Sequence, residues 1–588
     1  MLRIGLVARA IGPMIGAIAA LAGCDPGGAP VETRDPTSGA AVVPRLEAHT
    51  AEFEKRVYEI APGVHQAVGF GLANSILVEG DACVFVVDVM GSVESARAVK
   101  AEFDRITEKP IEALIYTHNH ADHVFGGRGF VPEGEVDVFA HATTSYYIDR
   151  VVNILRVAIG KRSERMFGNE LPREGPDRFV NAGIGPFLEV GGEHGTVSLI
   201  RPNRTFEDAL AVEICGVDVR LVHAPGETND QIFVWLPEKR VLMPGDNVYK
   251  AFPNLYTIRG TPYRDVQEWV RSIDKMRALE PEHLAPSHTR PVSGAEAIAE
   301  ILTAYRDGIQ FVHDQTVRGI NLGLTPDELV EEIELPPHLE NHPYLEEFYG
   351  TVEWSVRSIY TGYLGWFDGD SATLSPASPD ERAAGIVELA GGEQALLEAA
   401  RRALEEGRAA WAAELAGELM RADPGLDEAR QLKAAALREL GRGSISPNGR
   451  NFYLTQALEL LGEVSVEGPL ASENTVDLVK SIPIGNFVGA MPVFLDPRKS
   501  ADVDTVMGFR FPDVDEAYTI HVRRGVAEFR RGFPERPDLA ISADSSAWIE
   551  VVAGLRGLPA AMATGDVEVE GGVTRIPAVL RFLSLFRS

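Results

Sequence analysis

The chain has 588 residues, 45% of them hydrophobic, which is too long for one ordinary core and apolar enough for several, so roughly two to four domains are expected. A formal charge of −30 argues against nucleic acid as a partner, because a phosphate backbone would be repelled. An anionic small molecule remains possible if a locally basic pocket works against the overall field.

The first residues read as an export signal, with Arg3 and Arg9 ahead of an apolar run, rich in glycine and alanine, that ends at Gly23. The run is short and interrupted by Pro13, which makes it a poor membrane-spanning helix. It closes in Leu21-Ala22-Gly23-Cys24, which resembles a bacterial lipobox. That resemblance implies lipidation of Cys24, the alternative being an ordinary signal peptide with an incidental cysteine. The expected product is an exported lipoprotein, anchored by lipid on the periplasmic side of a bacterial envelope. Residues 1–24 would be the signal, and 25–45, rich in Pro, Gly and Ala, a flexible tether. Cys83 and Cys215 both fall within apparent strands, so buried thiols are the expectation, with a disulfide permitted by export.

A domain expected over 46–305 opens with strand-like runs at Val64 to Val78 and Cys83 to Val89, joined by the turn Glu79-Gly80-Asp81. Asp88 ends the second run, either as a buttress for a neighbouring site or as a surface carboxylate. Helical spacing over Ser92 to Arg105 leads to a short buried strand, Ile111 to Tyr116. The stretch Thr117-His118-Asn119-His120-Ala121-Asp122-His123 follows, then Gly126-Gly127. Alternate residues of an extended segment share a face, so His118 and His120 can address one ion, and Asp122 and His123 a second. Imidazole and carboxylate donors suit zinc, less exclusively manganese or iron. Between Thr143 and Phe206 lies a long interruption holding Arg162, Arg165, Met166 and Phe167, read as a wall or lid of the cleft. Three later runs each end in a tight turn and a candidate ligand: Glu227, Asp246 and His288.

His-Xaa-His-Xaa-Asp-His after a strand resembles the signature of the metallo-β-lactamase superfamily, whose fold is an α/β sandwich of αββα layers. Glu227 follows Pro225-Gly226 where that superfamily usually has histidine, and a glutamate there resembles the alkyl sulfatases. The stretches 252–260, 363–369 and 450–454 are similar to the same family. The resemblance implies two zinc ions per chain, one on His118, His120 and Glu227, the other on Asp122, His123 and His288, with Asp246 bridging. Asp122 and Asp246 would be catalytic, and Arg259, Asn254 and Tyr363 would bind substrate. Arg264 and Arg290 are weaker candidates for the sulfate, with solvated surface positions the expectation for both. Tyr363 and Tyr256 are possible proton donors, ordinary packed tyrosines being the expectation. The implied reaction is hydrolysis of an alkyl sulfate by carbon–oxygen cleavage, with inversion in secondary substrates. The rival readings are a lactone, thioester or phosphodiester hydrolase and a non-catalytic lipid-binding lipoprotein.

Beyond residue 305 the chain turns helical, over Ala295 to Arg318, Thr325 to Glu334 and Gly391 to Gly441, and Leu404 to Leu440 resembles a tetratricopeptide-like hairpin. The family resemblance implies an α-helical dimerisation domain over 306–445, hence a homodimer. It also implies an α+β sterol-carrier-like domain over 446–588 that holds a lipophilic tail or surfactant.

Overall fold

Val84 and Val86 face one apolar cluster, while Phe85 and Val87 between them face another, the alternation of a strand buried on both sides. In the computed structural model, which describes residues 42–586 apart from 189, 191–194 and 467–475, this strand lies mid-sheet. Seven strands from Arg56–Ala61 to Arg204–Phe206 pair in chain order, antiparallel up to Val84–Val87 and parallel from there through Ile111–Ile115 and Asp137–His141. A second sheet of six strands runs from Val292–Ser293 through His283–Leu284, Val241–Met243, Ile232–Leu236 and Val217–His223 to Ala209–Ile214. Phe85, Val87, Ile115 and Phe139 of the first sheet meet Leu221, Val234 and Met243 of the second. The helix Val93–Phe103 covers the outside of the first sheet through Ala96, Val99 and Phe103. The helices Val266–Arg277 and Ala295–Leu322 cover the second through Trp269, Ile273 and Ile298 against Trp235 and Leu242. This is the αββα sandwich.

The run read as one strand from Val64 to Val78 is two, Val64–Val68 and Ser75–Glu79, because the chain folds back between them. That turn carries the Leu72 carbonyl to His288. The two cysteines, expected as thiols, form the disulfide Cys83–Cys215 across 132 residues. Gly80 lets the two turns approach, since a Cβ there would lie 1.9 Å from the Cys215 carbonyl oxygen. Spacing along the chain cannot reveal that these turns belong to facing sheets.

The long interruption folds into helix Thr144–Asp149, a π-helical turn Arg150–Leu155 and helix Arg156–Phe167. It forms one wall of the main cavity, in agreement with its reading as part of the cleft. Val42 and Val43, placed in the tether by sequence, are buried in a cluster with Met166, Phe167 and Tyr349. The remaining tether, the signal and Cys24 lie outside the described residues.

The helix Ala295–Leu322 runs unbroken across position 305, so the catalytic and helical regions share one element. Thr325 and Glu328 form a capping box on Pro326–Glu332. Farther on, Ala409–Ala422, Asp427–Gly443 and Pro447–Leu461 join through Ala412, Ala434 and Ala457, small side chains that let helices approach closely. Pro447–Leu461, assigned by sequence to the last domain, therefore packs with the helical one. The last domain is α+β, with five strands ordered Val526–Arg531, Glu516–Arg523, Asp504–Phe511, Leu539–Ala543, Val567–Val569.

Reduction should destabilise the sandwich, since a bridge closing so long a loop contributes about 2–4 kcal/mol. Denaturant midpoints should fall on adding reductant, and a Cys83→Ala/Cys215→Ala variant should start low and not respond. An equal midpoint for the oxidised protein and the double variant would refute this contribution.

Candidate metal centre

Five strand ends deliver the site. Asp88 follows Val84–Val87, His118 to His123 follow Ile111–Ile115, Glu227 follows Val217–His223, Asp246 follows Val241–Met243, and His288 follows His283–Leu284. Among the described residues two groups have donor atoms within 4.8 Å of one another: His118, His120 and Asp246, and Asp122, His123 and His288.

The buried ring nitrogens are oriented from behind. His123 Nδ1 donates to Asp88 Oδ2 at 2.8 Å, His288 Nδ1 to the Leu72 carbonyl at 2.8 Å, and His118 Nδ1 to Thr117 Oγ1 at 3.0 Å. Each of these rings therefore turns Nε2 inward, as a metal ligand requires. His120 differs, with Nδ1 2.8 Å from His118 Nε2 and its own Nε2 2.9 Å from an Arg259 nitrogen. Asp246 lies between the groups. Its Oδ2 is 3.5 Å from His118 Nε2 and 3.1 Å from His288 Nε2, and its Oδ1 is 3.4 Å from His123 Nε2. Asp122 Oδ2 is 3.3 Å from His123 Nε2 and 3.6 Å from His288 Nε2. Donors on one tetrahedral zinc stand about 3.3 Å apart, given bonds near 2.0–2.1 Å. His123 Nε2, Asp246 Oδ1 and Glu227 Oε2 are buried without hydrogen-bond partners, which is costly unless a cation completes them. The donor set thus fits metal ions.

Electrostatics agree. Burial opposes charge on His123, yet Asp246, Asp122 and Asp88 outweigh it and raise its pKa well above the usual histidine range. His288 is raised in the same way, burial being overcome by Asp246. Burial, with His123, keeps His118 far below that range, and burial with Arg259 does so for His120. Asp246 is held well below the carboxylate range, against burial, chiefly by His123 and His288. The carboxylates thus create a site for positive charge that a metal can take over from protons.

Glu227 lines the same cavity but stands outside both close groups. Burial lifts its carboxyl to about 7 against the pull of Arg264, whose Nη1 donates to Oε1 at 2.9 Å. Gly226 is needed here, because a Cβ would sit 2.1 Å from Asn247 Oδ1, which accepts from the Glu227 amide. Arg264, expected at the surface, is 2% exposed. Sequence missed this ion pair, since nothing near Arg264 in the chain marks its partner 37 residues away.

Arg259 lines the cavity, braced by Thr257 Oγ1 at 3.0 Å. The other expected substrate contacts fall elsewhere. Tyr363 lies on helix Val352–Leu364, half exposed, with its hydroxyl 2.8 Å from His313 Nε2. Neither Tyr363 nor Tyr256 is among the residues lining the cavity. Asn254 is fully buried and not among the lining residues; its backbone carbonyl accepts from Arg264, and its side-chain oxygen and nitrogen have no hydrogen-bond partner. Arg290 pairs with Glu52, which Lys250 also contacts. The cavity, of about 460 Å³, continues from the donor groups past Leu155, Ile159, Phe167, Leu188 and Val197. Its lining combines the donor groups with apolar side chains, among which Arg150, Arg156 and Glu164 are also set.

Residues 68–288 match the metallo-beta-lactamase superfamily model, 325–463 that of alkyl sulfatase dimerisation, and 472–588 that of the alkyl sulfatase C-terminal domain. A linear primary-alkylsulfatase of Pseudomonas sp. (strain ATCC 19151) is 41% identical over 86% of this chain and 97% of its own. An alkyl/aryl-sulfatase of Saccharomyces cerevisiae is 30% identical over 90% of this chain and 82% of its own. The solved structure of the stereoselective inverting sec-alkylsulfatase Pisa1 from Pseudomonas sp. superposes with a TM-score of 0.85 at 28% identity, covering 94% of this chain and 88% of that one. These matches agree with the resemblance read from the motifs.

Asp88→Asn should weaken metal binding about 10- to 100-fold, because an amide keeps one acceptor oxygen where the carboxylate meets His123 Nδ1 and three further donors. Chelator competition on folded protein checks this, and unchanged affinity would refute it. Burial opposes the charge of Glu52, but hydrogen bonds from Arg290 and Lys250 hold its pKa at about 2. Its contribution to stability is therefore present above the ordinary value of 4.5 and lost as pH falls toward 2. Wild type should exceed Glu52→Gln in urea midpoint at neutral pH, with the gap closing across that window.

Proposed function

The chain belongs to the alkyl sulfatase family, and on that premise we propose that it hydrolyses alkyl sulfate esters to an alcohol and inorganic sulfate at a centre of two zinc ions. The observation that carries this reading is the juxtaposition of Arg259 with His120 in a cavity lined both by the donor groups and by apolar side chains. In this assignment His118, His120 and Glu227 would hold one ion, Asp122, His123 and His288 the other, with Asp246 between them. The unpartnered Oε2 of Glu227 supports its inclusion. Zinc held there would supply water of lowered pKa and offset charge on the departing sulfate.

The protein's own groups do the rest. Arg259 presents a planar fork to the tetrahedral anion, and its contact with Thr257 holds that fork in place. Arg264 aligns Glu227 from behind. Leu155, Ile159 and Leu188 would receive the alkyl chain and exclude water from it. Asp122 and Asp246 face the cavity as acceptors that can orient the attacking water. Carbon–oxygen cleavage releases sulfate, a weak base that leaves without a proton. A tyrosine acid is then unnecessary, which accords with Tyr256 and Tyr363 lying outside the lining.

We also propose a homodimer and an exported, lipid-anchored location. The dimerisation match over 325–463 supports the first, as do Leu364, Trp366, Leu374 and Leu389, all strongly exposed in that region. The disulfide supports an oxidising compartment and so export, while the anchor at Cys24 rests on the lipobox-like Leu21-Ala22-Gly23-Cys24.

Arg259→Lys and Arg259→Ala should lose alkyl sulfate hydrolysis in that order, with both metals retained. A charge-assisted hydrogen bond of roughly 1.5–3 kcal/mol corresponds to a loss of about ten- to over a hundredfold in kcat/KM for Ala. Sulfate release from a panel of alkyl sulfates, run beside a lactone and a phosphodiester, is the measurement. Hydrolysis of the latter two without the first, or an unaffected Arg259→Ala, would overturn the reading.

A further inference from the structure

In a chain of net charge −30, residues 150–162 carry Arg150, Arg156, Lys161 and Arg162 and no acidic residue. The same stretch leaves apolar side chains in solvent. Ile154 is 46% and Val157 49% exposed, with Val151, Leu155 and Ala158 exposed beside them and Tyr146 on the helix before. Val151 and Leu155 line the substrate cavity, whereas Ile154 and Val157 do not, so these two belong to a second, outward face. Val157 and Lys161, one turn apart on helix Arg156–Phe167, share that face. At the far end of the same helix, Met166 and Phe167 hold Val42 and Val43 in one buried cluster. The chain before Val42 therefore attaches about 14 Å along the helix axis from Val157. A flexible tether the length of residues 25–41 spans roughly 20–25 Å, so the anchor proposed at Cys24 would bring this face to a bilayer.

We infer that the outward face of this segment, with Tyr146, Ile154, Val157 and Lys161, docks on the surface of an anionic bilayer. Exposed apolar side chains interleaved with cations are the composition of an element that lies in the headgroup layer. The aliphatic groups enter the acyl boundary, the cations meet lipid phosphates, and Tyr146 suits the boundary between them. No helix among the described residues is long and apolar enough to cross a membrane, so the contact is one of lying on the surface. A second copy of the chain suits this face poorly, because a two-fold contact would set its cations against their own copies. The match to alkyl sulfatase dimerisation also falls elsewhere, over 325–463. The inference refines the lipid-anchored location proposed above, since the anchor would tether the protein and this face would orient it. Val151, Leu155 and Ile159 of the same segment line the substrate cavity, so an amphiphile leaving the bilayer meets apolar side chains from the surface inward.

The test places an environment-sensitive dye at Ile154→Cys in the full-length chain carrying Cys24→Ser. Cys83 and Cys215 are joined, so the new thiol is the one that reacts. On phosphatidylglycerol vesicles the dye should brighten, shift to the blue and be quenched by spin-labelled lipid. The same dye at Leu389→Cys, 89% exposed in the helical region, should not respond to vesicles. Val157→Glu, at a position outside the cavity lining, should raise the lipid concentration for half-response about tenfold or more, with an unchanged denaturant midpoint. Lys161→Gln should raise it about fivefold, and phosphatidylcholine vesicles should give a much weaker response that this change does not alter. Residues 1–24 are common to every variant, so differences between variants report the face. No response at position 154, equal responses on the two lipids or at Leu389, or indifference to Val157→Glu would overturn the inference. So would a blue shift without lipid that grows with protein concentration, which would mark a second copy as the occupant. Sulfate ester hydrolysis enters none of these readouts and Cys24→Ser removes the anchor, so failure here bears on the face alone.

Discussion

The carboxylate of Asp88 is the constraint on which the centre rests. It is fully buried, with the backbone in the left-handed region at φ 57°, and it accepts four hydrogen bonds. Thr117 gives its amide and its hydroxyl, Ser287 its hydroxyl and His123 its Nδ1, all at 2.7–2.9 Å. Burying an anion is expensive unless its lone pairs are met, and here the groups that meet them sit on the loops carrying the candidate ligands. Ser287 comes from the second sheet and Thr117 from the first, so one carboxylate sets the relation between both halves of the sandwich at the site. Gln66 and Asn74 extend this fixation by donating to the Pro286 carbonyl just before His288.

A chain of such negative charge that binds anions must concentrate its cations. Arg259 and Arg264 sit at the donor groups, and Arg150 and Arg156 lie on the facing wall, all lining one cavity. Arg264 gives one nitrogen to Glu227, while Arg259 stands beside His120. The outer field slows the approach of an anion, while the apolar lining favours its tail, so an amphiphile is admitted where a small inorganic anion gains much less.

Local sequence brought out the candidate ligands because their grammar is local, with alternation after a strand for His118 to His123 and a tight turn before Glu227, Asp246 and His288. What failed depends on contacts between distant segments. Cys83 and Cys215 pair because two turns of facing sheets meet, and Arg264 is buried because Glu227 waits for it. Tyr363, carried over by resemblance, has its hydroxyl beside His313 and is not among the residues lining the cavity, a placement that position in the chain does not reveal. Asp88 was open between two readings because a carboxylate at a strand end is surface or hub according to what packs over it.

The segment Thr144–Phe167 was legible only as an interruption, yet it connects the domains. Asn451 of the helical region donates to the Met166 carbonyl, and Glu459 receives both nitrogens of an Arg165 fork at 2.7 and 2.8 Å. On the opposite side, Asn486 of the C-terminal domain donates to Asp149, which Arg201 also holds. The wall of the substrate cavity is therefore clamped by polar contacts at both ends, while its middle is a π-helical turn, a geometry less well packed than an α-helix. Tyr146, Ile154 and Val157 on that segment are exposed. Such an element can adjust its middle without losing its ends. The position of the cavity wall is thus set jointly by two domains that contribute no candidate ligand to the metal centre, which gives the sandwich a physical reason to retain both.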